Sequence, residues 1–430
     1  MEKLYLGVAR ENITPEIGCQ LYGYNPNIHS TCVNDDLTLT AFYFKEGNKQ
    51  ALLMTATVCL IKTEYANEML DKVSKEFGIE KGSIILAATH THSGPNMGGA
   101  TGWGDIDKKY CDEVFEPKLF ACVKNAMKNP VKVKMAAVSG ESKAGINRRE
   151  LVEDNGIALG QNPWGPYNPE MTLLSFADEE GKVVANLIHY GCHGTCAGGN
   201  TEITRDWSGI MTDAVEDKSG AITAFFNGPE GDVGPRLSNG KTVGDLSYVY
   251  ELGNVAAKDA VKLWDKVENF EETTLKVHSD LVKIPHAPRI SKEEAERLYK
   301  RYESHVVNHG AMIKEYAENV IKCYENGIPE LECVSFTQNL IALGKFVFAP
   351  TPFELFSEIG MRTDRHFKDK KVLGLSNSNG SEGYFITEDV IIRGGYEVNM
   401  FLYGHPQPYC KDADYELYKA IVKNIENMED

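Results

Sequence analysis

The chain has 430 residues, of which 42% are apolar and 25% charged, and its formal net charge at pH 7 is −17. This composition is typical of a globular protein that is long enough to bury a sizeable core. The excess of acidic groups repels phosphate backbones and anionic lipid surfaces, so nucleic acids and membrane surfaces are not expected partners.

Neither an export signal nor a membrane span is apparent. The N-terminus has no basic segment followed by an apolar one, so we expect no signal peptide. No run of about 18 apolar residues predicts a transmembrane helix. The ten cysteines are irregularly spaced without a CxxC pair, which favours free thiols. We therefore expect a cytoplasmic protein with no membrane insertion, and the sequence does not determine its oligomeric state.

The first half of the chain predicts a β-hairpin, then a helix and then further strands. In chain order, the predicted elements are strands at Leu4–Arg10, Leu37–Lys45 and Gln50–Ile61, a helix at Glu64–Phe77 that ends at Gly78, a strand at Ser83–Thr89, a helix within Lys108–Met127, and strands at Val131–Val138, Met171–Ala177 and Lys182–His189. The glycine-rich segment 96–107, with Trp103, is typical of a loop that lies over a site.

The second half continues the mixture of helices and strands. Its predicted elements are a helix from Trp207 to Val215, a strand at Ala221–Phe226, a helix at Leu246–Trp264, a strand at Thr274–Ile284, a helical segment at Ser291–Cys323, a strand at Gln338–Ala349, a helix at Glu354–His366, a strand at Val372–Leu375 and a helix at Asp414–Met428. His305 and His309 are four residues apart in the helical segment, and we interpret them as an exposed helix face because no other ligand type lies nearby.

These elements predict an α/β fold of the mixed (α+β) kind, with central twisted mixed β-sheets flanked by helices. No linker rich in proline, serine or glycine divides the chain, and no internal sequence repeat is visible. We therefore expect a single domain over residues 1–430, with the helical segment at about 288–335 as a flank of that domain.

Polar residues of metal-ligating type follow several of the predicted strands. The buried strand before segment 89–95 (THTHSGP) leads into His90 and His92, which point the same way because they are two residues apart at a strand end. His193, Glu354 and Tyr384 also follow predicted strands. Open α/β sheets place their sites at strand ends, and histidines with a carboxylate form a normal catalytic zinc site. The pattern gives candidates for a metal site without assigning them.

A series of short motifs resembles the neutral, non-lysosomal ceramidase family, in particular its N-terminal catalytic domain. The motifs are Gly7–Arg10 with Ile13–Pro15, Thr89–Pro95, Asn147–Arg148, His193–Thr195, Gly231–Val233, Pro352–Glu354 and Gly383–Tyr384. The resemblance implies a zinc-dependent amidohydrolase that holds one Zn²⁺. It further implies that the metal ligands are His90, His193, Glu354 and Tyr384.

The resemblance also implies roles for residues beside the metal. His92 and Arg148 would line the site; His92 would exchange a proton with the substrate, or alternatively only orient a ligand. Arg148 or Tyr384 would stabilise the oxyanion.

Four further residues are candidates for substrate binding or for supporting the metal ligands: Asn147, Asp206, Asp232 and Gly234. Each of the two aspartates is interpreted as a partner of a histidine or, alternatively, as a loop cap. Arg149 is interpreted as a surface or structural residue.

Two departures from the family pattern bear on the substrate. The family carries a serine after the Gly-Asp-Val triplet, and this chain has Gly234 there, which excludes a serine nucleophile at that position. We also expect no C-terminal immunoglobulin-like domain of the kind that the family carries, because the sequence ends shortly after segment 394–397. We therefore expect a small soluble N-acyl compound as substrate instead of ceramide.

Three alternatives remain open from the sequence. The same zinc site could hydrolyse an ester or a sugar lactone. The His-x-His pair also occurs in metal hydrolases of the amidohydrolase barrel type, although no eightfold βα alternation is visible here. A catalytically degenerate relative that only binds a ligand is favoured by Gly234 but opposed by the presence of all four metal-ligating residue types.

Overall fold

Three mixed β-sheets form the centre of the protein, whose computed structural model describes residues 2–153 and 156–428. In spatial order, the first sheet contains strands Ile84–Ala88, Lys49–Ala56, Thr38–Glu46, Leu4–Asn12 and Val131–Lys132; the second contains Ile222–Asn227, Val183–Tyr190, Glu170–Ala177 and Lys134–Glu141; the third contains Leu275–Pro285, Cys333–Leu343, Phe346–Pro350 and Lys371–Leu375. The mixed sheets and flanking helices confirm the predicted fold class.

Each sheet contains the same supersecondary unit. An antiparallel hairpin leads into a helix, and the helix returns to a strand that runs parallel to the second hairpin strand. The three connecting helices are Thr63–Phe77, Trp207–Ser219 and Ser357–His366. Because the carboxyl ends of parallel strands meet at one edge of a sheet, each unit presents two loops at the same edge. The three units share a topology, although no internal repeat is visible in the sequence.

All three sheets pack one face onto a shared apolar core. Phe226 of the second sheet contacts Phe42 of the first sheet, with ring centroids 6.0 Å apart, and Phe348 of the third sheet at 6.3 Å. None of the three rings is exposed to solvent. Tilted aromatic pairs at this spacing add attraction beyond the burial of their area. The core therefore fixes the three sheets relative to one another.

Helices cover the outer faces of the sheets. Thr63–Phe77 and Glu116–Lys128 cover the first sheet, Trp207–Ser219 and Leu246–Trp264 the second, and Ala413–Asn427 the third. The apolar residues of the last helix are buried in this layer, at Leu417, Ile421 and Ile425 among others. None of the helices in the described part of the chain has the length and apolar character needed to cross a membrane.

The remaining elements are short or peripheral. The helices are Lys108–Tyr110, which continues through a π-helical turn at Cys111–Phe115, then Lys292–Tyr302, Asn308–Glu325, Glu388–Ile391 and Tyr396–Tyr403, with a 3₁₀ turn at Lys81–Ser83. The paired short strands are Cys32–Val33 with Glu202–Ile203, Gly145–Asn147 with Val233–Pro235, Arg149–Val152 with Gly156–Leu159, and Glu354–Leu355 with Tyr384–Phe385.

The predicted helical segment Ser291–Cys323 is wrong as a continuous helix. It consists of two helices, and His305 lies between them, so His305 and His309 are not one turn apart on a helix face. The break occurs where Asn308 takes a positive φ of 54° and donates its backbone N–H to the Gly102 carbonyl, 2.8 Å away. A tertiary contact with the glycine-rich loop thus overrides local helix propensity.

Two predicted strands also divide. Gln338–Ala349 is a hairpin that turns at Gly344, whose φ of 58° suits glycine. Val131–Val138 is split between the first and second sheets at Val133. In both cases the apolar pattern continues across the break because the residues on either side face the same core.

Replacing Phe226 with alanine tests the shared core. Phe226→Ala removes a ring that contacts two other sheets, so we expect it to lower the free energy of unfolding by about 3–5 kcal/mol. Ile392→Ala is the control, because Ile392 is 92% exposed, and it should change stability by less than about 0.5 kcal/mol. Urea titration followed by circular dichroism measures both, and equal effects would contradict the assigned core.

Candidate metal centre

The four residues predicted to bind the metal come from all three sheets. His90 follows strand Ile84–Ala88 of the first sheet, and His193 follows strand Val183–Tyr190 of the second. Glu354 follows the third-sheet strand Phe346–Pro350 and pairs in a short parallel ladder with Tyr384. All four side chains are buried. Glu354 lies in this ladder and not at the start of a helix as predicted, because the helix begins three residues later at Ser357.

The functional atoms of these residues converge. Oε2 of Glu354 lies 3.0 Å from Nε2 of His193 and 3.3 Å from Nε2 of His90. The hydroxyl oxygen of Tyr384 lies 3.4 Å from Nε2 of His193. His90, His193 and Glu354 thus form a group of the size that holds a single metal ion. The structure brings the four residues together, and their role as metal ligands stays a prediction.

The hydrogen bonds of both histidines leave Nε2 free for a ligand. Nδ1 of His90 lies 2.8 Å from the Cys59 carbonyl oxygen, and Nδ1 of His193 lies 2.9 Å from the Glu230 carbonyl oxygen. A carbonyl only accepts hydrogen bonds, so we assign the ring proton to Nδ1 in each case. When both rings are neutral, two Nε2 lone pairs face a carboxylate oxygen. Such a group of acceptors attracts a cation, which is a proton on His90 or a metal ion, so the donor set fits a metal ion.

Backbone geometry holds the two histidine loops against each other. His90 has a positive φ of 67°, which non-glycine residues rarely adopt, and its backbone N–H bonds to the Val58 carbonyl at 2.9 Å. A Cβ on Gly194 would lie only 2.7 Å from the His90 carbonyl oxygen. The glycine after His193 is therefore needed for the close approach of the two loops.

Burial and neighbouring charge set the protonation of the centre. Burial, with the Arg148 guanidinium and His90 nearby, lowers the pKa of His193 to about 3, which keeps its ring neutral. Burial alone would raise the pKa of Glu354, but His90 and His193 beside it hold that pKa well below its usual range. Burial lowers the pKa of His90, but Cys59 and Glu354 beside it raise that pKa well above its ordinary value. A neutral imidazole and an ionised carboxylate are the forms in which these groups bind metals, so His90 would release a proton on binding a metal.

His92 lies beside the predicted ligands without joining their hydrogen bonds to the backbone. Its Nε2 is 3.3 Å from Nε2 of His90, and its ring packs at a tilt against Tyr24. Its Nδ1 is buried and has no hydrogen-bond partner among the described residues. A Cβ on Gly23 would overlap the His92 ring, so that glycine makes room for it. His92 lines the cavity, as the resemblance implied.

Arg148 binds Tyr384 directly. Its Nη2 donates to the Tyr384 hydroxyl oxygen at 2.9 Å, and its Nε donates to Glu397 at 2.9 Å. Tyr384 and Glu397 together raise the pKa of Arg148 above its ordinary value although burial opposes this, so it stays charged. Arg149 is also buried and bonds to Glu397, so its contacts are structural and not those of a surface residue.

The other candidate residues support loops. Asp206 accepts hydrogen bonds from the backbone N–H groups of Ala197 and Trp207, and Asp232 accepts from Ser357. Among the described residues, neither carboxylate has a hydrogen bond to a histidine, so both act as caps at a helix start. Burial raises the pKa of Asp232 to about 7. Asn147 donates to the Pro166 carbonyl and to Asp232.

Gly234 lies in a short strand that pairs with Gly145–Asn147. A Cβ added to it would lie 2.7 Å from Cβ of Thr242 and 3.3 Å from Cβ of Arg148. Thr242 thus fills the space into which a serine side chain at this position would project.

Several residues at the centre were not assigned from the sequence. Glu230 and Asn377 follow the third strand of their units, and Asn377 Nδ2 donates to Glu230 at 2.8 Å. Burial raises the pKa of Glu230 to about 8. Tyr396 packs edge-on against Tyr384, and its neighbour Glu397 binds both arginines. The strand-end rule that found His90 applies to the first two, whereas nothing local distinguishes Tyr396 and Glu397.

A cavity of about 470 Å³ opens from the centre. His90, His92, Glu354, Tyr384 and Tyr396 line its floor, and the loop Gly98–Trp103 lines one wall, as the glycine-rich segment predicted. The helix Asn308–Glu325 contributes Met312 and Glu315 to another wall. The peripheral helical segment therefore reaches the site, which sequence reasoning did not anticipate.

The sequence matches described here are all to neutral ceramidases. A family model described as neutral/alkaline non-lysosomal ceramidase, N-terminal, matches residues 4–246. Neutral ceramidase A of Dictyostelium discoideum is 27% identical in an alignment of 219 residues that covers 45% of this chain and 30% of the relative. Neutral ceramidase of Pseudomonas aeruginosa is 26% identical in an alignment of 174 residues that covers 37% of this chain and 25% of the relative. The aligned segments thus span less than a third of either relative.

Solved structures show the same fold over almost the whole chain. The crystal structure of neutral ceramidase from Pseudomonas aeruginosa superposes with a TM-score of 0.75 at 17% identity, covering 99% of this chain and 75% of that one. A ceramidase complexed with C2 superposes with a TM-score of 0.74 at 15% identity, covering 100% of this chain and 76% of that one. At these identities the likeness concerns the fold alone.

A double-mutant cycle tests the contact between Gly234 and Thr242. Gly234→Ser places a Cβ against Thr242, and we expect a loss of about 1–3 kcal/mol in the free energy of unfolding from overpacking. Thr242→Gly should destabilise the wild-type protein but stabilise the Gly234→Ser variant. Urea titration of the four proteins measures the coupling, and the same cost for Thr242→Gly in both backgrounds would contradict the assigned contact.

Proposed function

The chain belongs to the neutral/alkaline non-lysosomal ceramidase family, and from this premise we propose that it is a zinc-dependent hydrolase that cleaves the amide bond of a small soluble N-acyl compound. Membership of the family supports hydrolase activity. The bound metal, the type of bond cleaved and the substrate are proposals.

One observation carries the proposal of a metal. Nε2 of His90 and Nε2 of His193 both face Oε2 of Glu354, while each ring is anchored through Nδ1 to a backbone carbonyl. Two neutral histidines and a carboxylate are a common protein ligand set of catalytic zinc, which leaves a further position for water or substrate. Tyr384 would complete the set from the Arg148 side. A zinc ion held there would polarise a carbonyl and activate water near neutral pH.

Arg148 supports the proposed role as an oxyanion site. Its guanidinium lies 5.3 Å from the centroid of the Tyr384 ring and donates from Nη2 to the phenol oxygen. A fixed cation beside the position where negative charge develops stabilises that charge without reorganisation. Alternatively, the hydroxyl of Tyr384, oriented by Arg148, would donate to the same oxygen in place of binding the metal.

His92 supports the proposed role in proton transfer. It lines the cavity, and its ring is packed by Tyr24 and Gly23 so that Nε2 points toward the group of ligands. An imidazole in this position can take a proton at Nε2 and return it to the leaving amine. The alternative, that His92 only orients its neighbours, predicts a much smaller kinetic effect of its removal.

The cavity supports a polar substrate. Four charged side chains, Lys62, Glu64, Glu315 and Glu382, are among its lining residues. A long hydrocarbon chain would have to displace water from these groups without replacing their hydrogen bonds, which is unfavourable. We therefore propose a short acyl group on a polar amine as the substrate, and we regard ceramide as the contrasting case.

Metal analysis of the purified protein tests the proposed centre. We expect close to one zinc ion per chain in the wild type, and a loss of at least about 100-fold in zinc affinity in His90→Ala and Glu354→Gln, because each removes a ligand. Glu46→Gln is the matched control, since Glu46 is a buried glutamate that bonds to the Leu275 N–H and Lys49. Wild-type protein that binds no zinc, or equal binding by all variants, would end the metal proposal.

A substrate panel tests the bond and the substrate. With zinc-loaded protein, we expect kcat/KM for a short-chain N-acyl compound of a polar amine to exceed that for ceramide in detergent by at least about 100-fold, since remote contacts contribute to transition-state binding. Matched esters and a sugar lactone serve as the other arms. Efficient release of fatty acid from ceramide would refute the soluble substrate, and faster ester than amide hydrolysis would refute the amide bond.

A further inference from the structure

Glu397 occupies the centre of a buried group of charges beside the cavity. It is the second residue of helix Tyr396–Tyr403, and it has no exposed surface. Its two oxygens are used by different arginines: Oε1 accepts from Nε of Arg148 at 2.9 Å, and Oε2 accepts from Nη1 of Arg149 at 2.6 Å. One carboxylate therefore fixes two neighbouring guanidinium groups.

The bond from Glu397 sets the orientation of Arg148. With Nε held by the carboxylate, the planar guanidinium has a single direction left for Nη2, which donates to the Tyr384 hydroxyl at 2.9 Å. Tyr384 contacts His193 on its other side. Glu397 thus reaches the predicted metal ligands through one arginine and one phenol without touching them.

The second arginine holds the backbone segment that carries Tyr396. Nη2 of Arg149 donates to the Gly394 carbonyl at 2.6 Å while Nη1 binds Glu397, so one guanidinium binds both ends of segment 394–397. Gly394 and Gly395 have φ values of 66° and 109°, and a Cβ on Gly395 would crowd Nη1 of Arg149 at 3.1 Å. The two glycines are what allow the segment to fold around the guanidinium.

We propose that Glu397 is a positioning residue that sets Arg148 and the two cavity-floor residues Tyr384 and Tyr396 in one arrangement, through the bridge Arg148–Glu397–Arg149. The inference rests on the proposed function for its kinetic readout. Tyr396 is adjacent to Glu397 in the chain, and its ring lies edge-on to Tyr384 with centroids 5.7 Å apart. Moving the carboxylate would therefore shift both tyrosines and the arginine together.

A purely stabilising role explains the bridge poorly. A buried ion pair gains little net stability, because the cost of removing the charges from water offsets their attraction. A guanidinium group fixes the direction of its hydrogen bonds, since its N–H groups point at fixed angles. Direction matters where a side chain must meet a reacting group, and a small displacement there lowers the rate steeply.

The test compares Glu397→Gln with Asp414→Asn. Asp414 is a buried carboxylate that binds Arg362 at 3.1 Å, between two helices away from the cavity. We expect both variants to lower the melting temperature. Only Glu397→Gln should lower kcat by about tenfold or more with KM within about threefold. It should also weaken zinc binding in apoprotein titrations by about tenfold, because Tyr384 loses its fixed partner.

A second variant covers the case in which Glu397→Gln fails to fold. Arg149→Met leaves the Arg148–Glu397 pair balanced in charge and releases the Gly394 carbonyl and Oε2 of Glu397, so we expect a folded protein with kcat lowered at least about threefold. Glu397→Asp keeps the charge and should recover part of both readouts. Folded Glu397→Gln or Arg149→Met with wild-type kcat and zinc affinity, differing from wild type only in melting temperature, would overturn the inference. A wild type without zinc or activity would instead refute the proposed function.

Discussion

The contact of three sheets through one apolar core is the constraint on which the rest of the structure depends. Phe226 contacts aromatic rings of the other two sheets, so no sheet can shift without disturbing the others. Each sheet supplies residues to the candidate metal centre from the loops at its edge. Interatomic distances near 3 Å between loops of different sheets are maintained only if the sheets below them do not move, and close packing in the core provides that rigidity.

Glycine determines how closely those loops approach. A Cβ on Gly194 would crowd the His90 carbonyl, and one on Gly231 would overlap the Glu354 carbonyl. At Gly194 and Gly231, glycine therefore brings backbone against backbone. His90 itself has a positive φ, and its strain is held by hydrogen bonds to the neighbouring loop. Contacts between backbone atoms therefore fix the relative positions of the loops that carry the side chains of the centre.

The sequence predicted the features that depend on local patterns and missed those that depend on tertiary contacts. The helix Leu246–Trp264 and the end of the first helix at Gly78 were predicted correctly, because apolar spacing and a left-handed glycine are local signals. The break before Asn308 was not, because it depends on a hydrogen bond to Gly102, far away in the chain. The shared core could not be predicted either, since a strand pattern shows which face of the strand is apolar but not which sheet will cover that face.

The same division applies to the site. His90, His193, Glu354 and Tyr384 stood out because each follows a strand and matches a motif, and the structure places them together. Glu397 gave no such signal: an acidic residue after two glycines is typical of an exposed turn. Its burial follows only from the meeting of Arg148 and Arg149 with a segment more than two hundred residues later. Residues that act through arginines of another loop are hidden from one-dimensional patterns.

The charges of the bridge Arg148–Glu397–Arg149 bear on the proposed metal binding. The two buried arginines, Arg148 and Arg149, are matched by the carboxylates Glu354 and Glu397, while His193 is neutral and His90, whose pKa is raised, would lose its proton on binding a metal. The group therefore carries little net charge of its own, in a protein whose total is −17. A divalent cation added to such a group is not neutralised by it, and the remaining positive charge favours loss of a proton from any acid among the ligands. Burial raises the pKa of Tyr384 well above its ordinary value, and Arg148 acts against this. The arginine and the proposed metal would therefore both favour loss of the phenol proton.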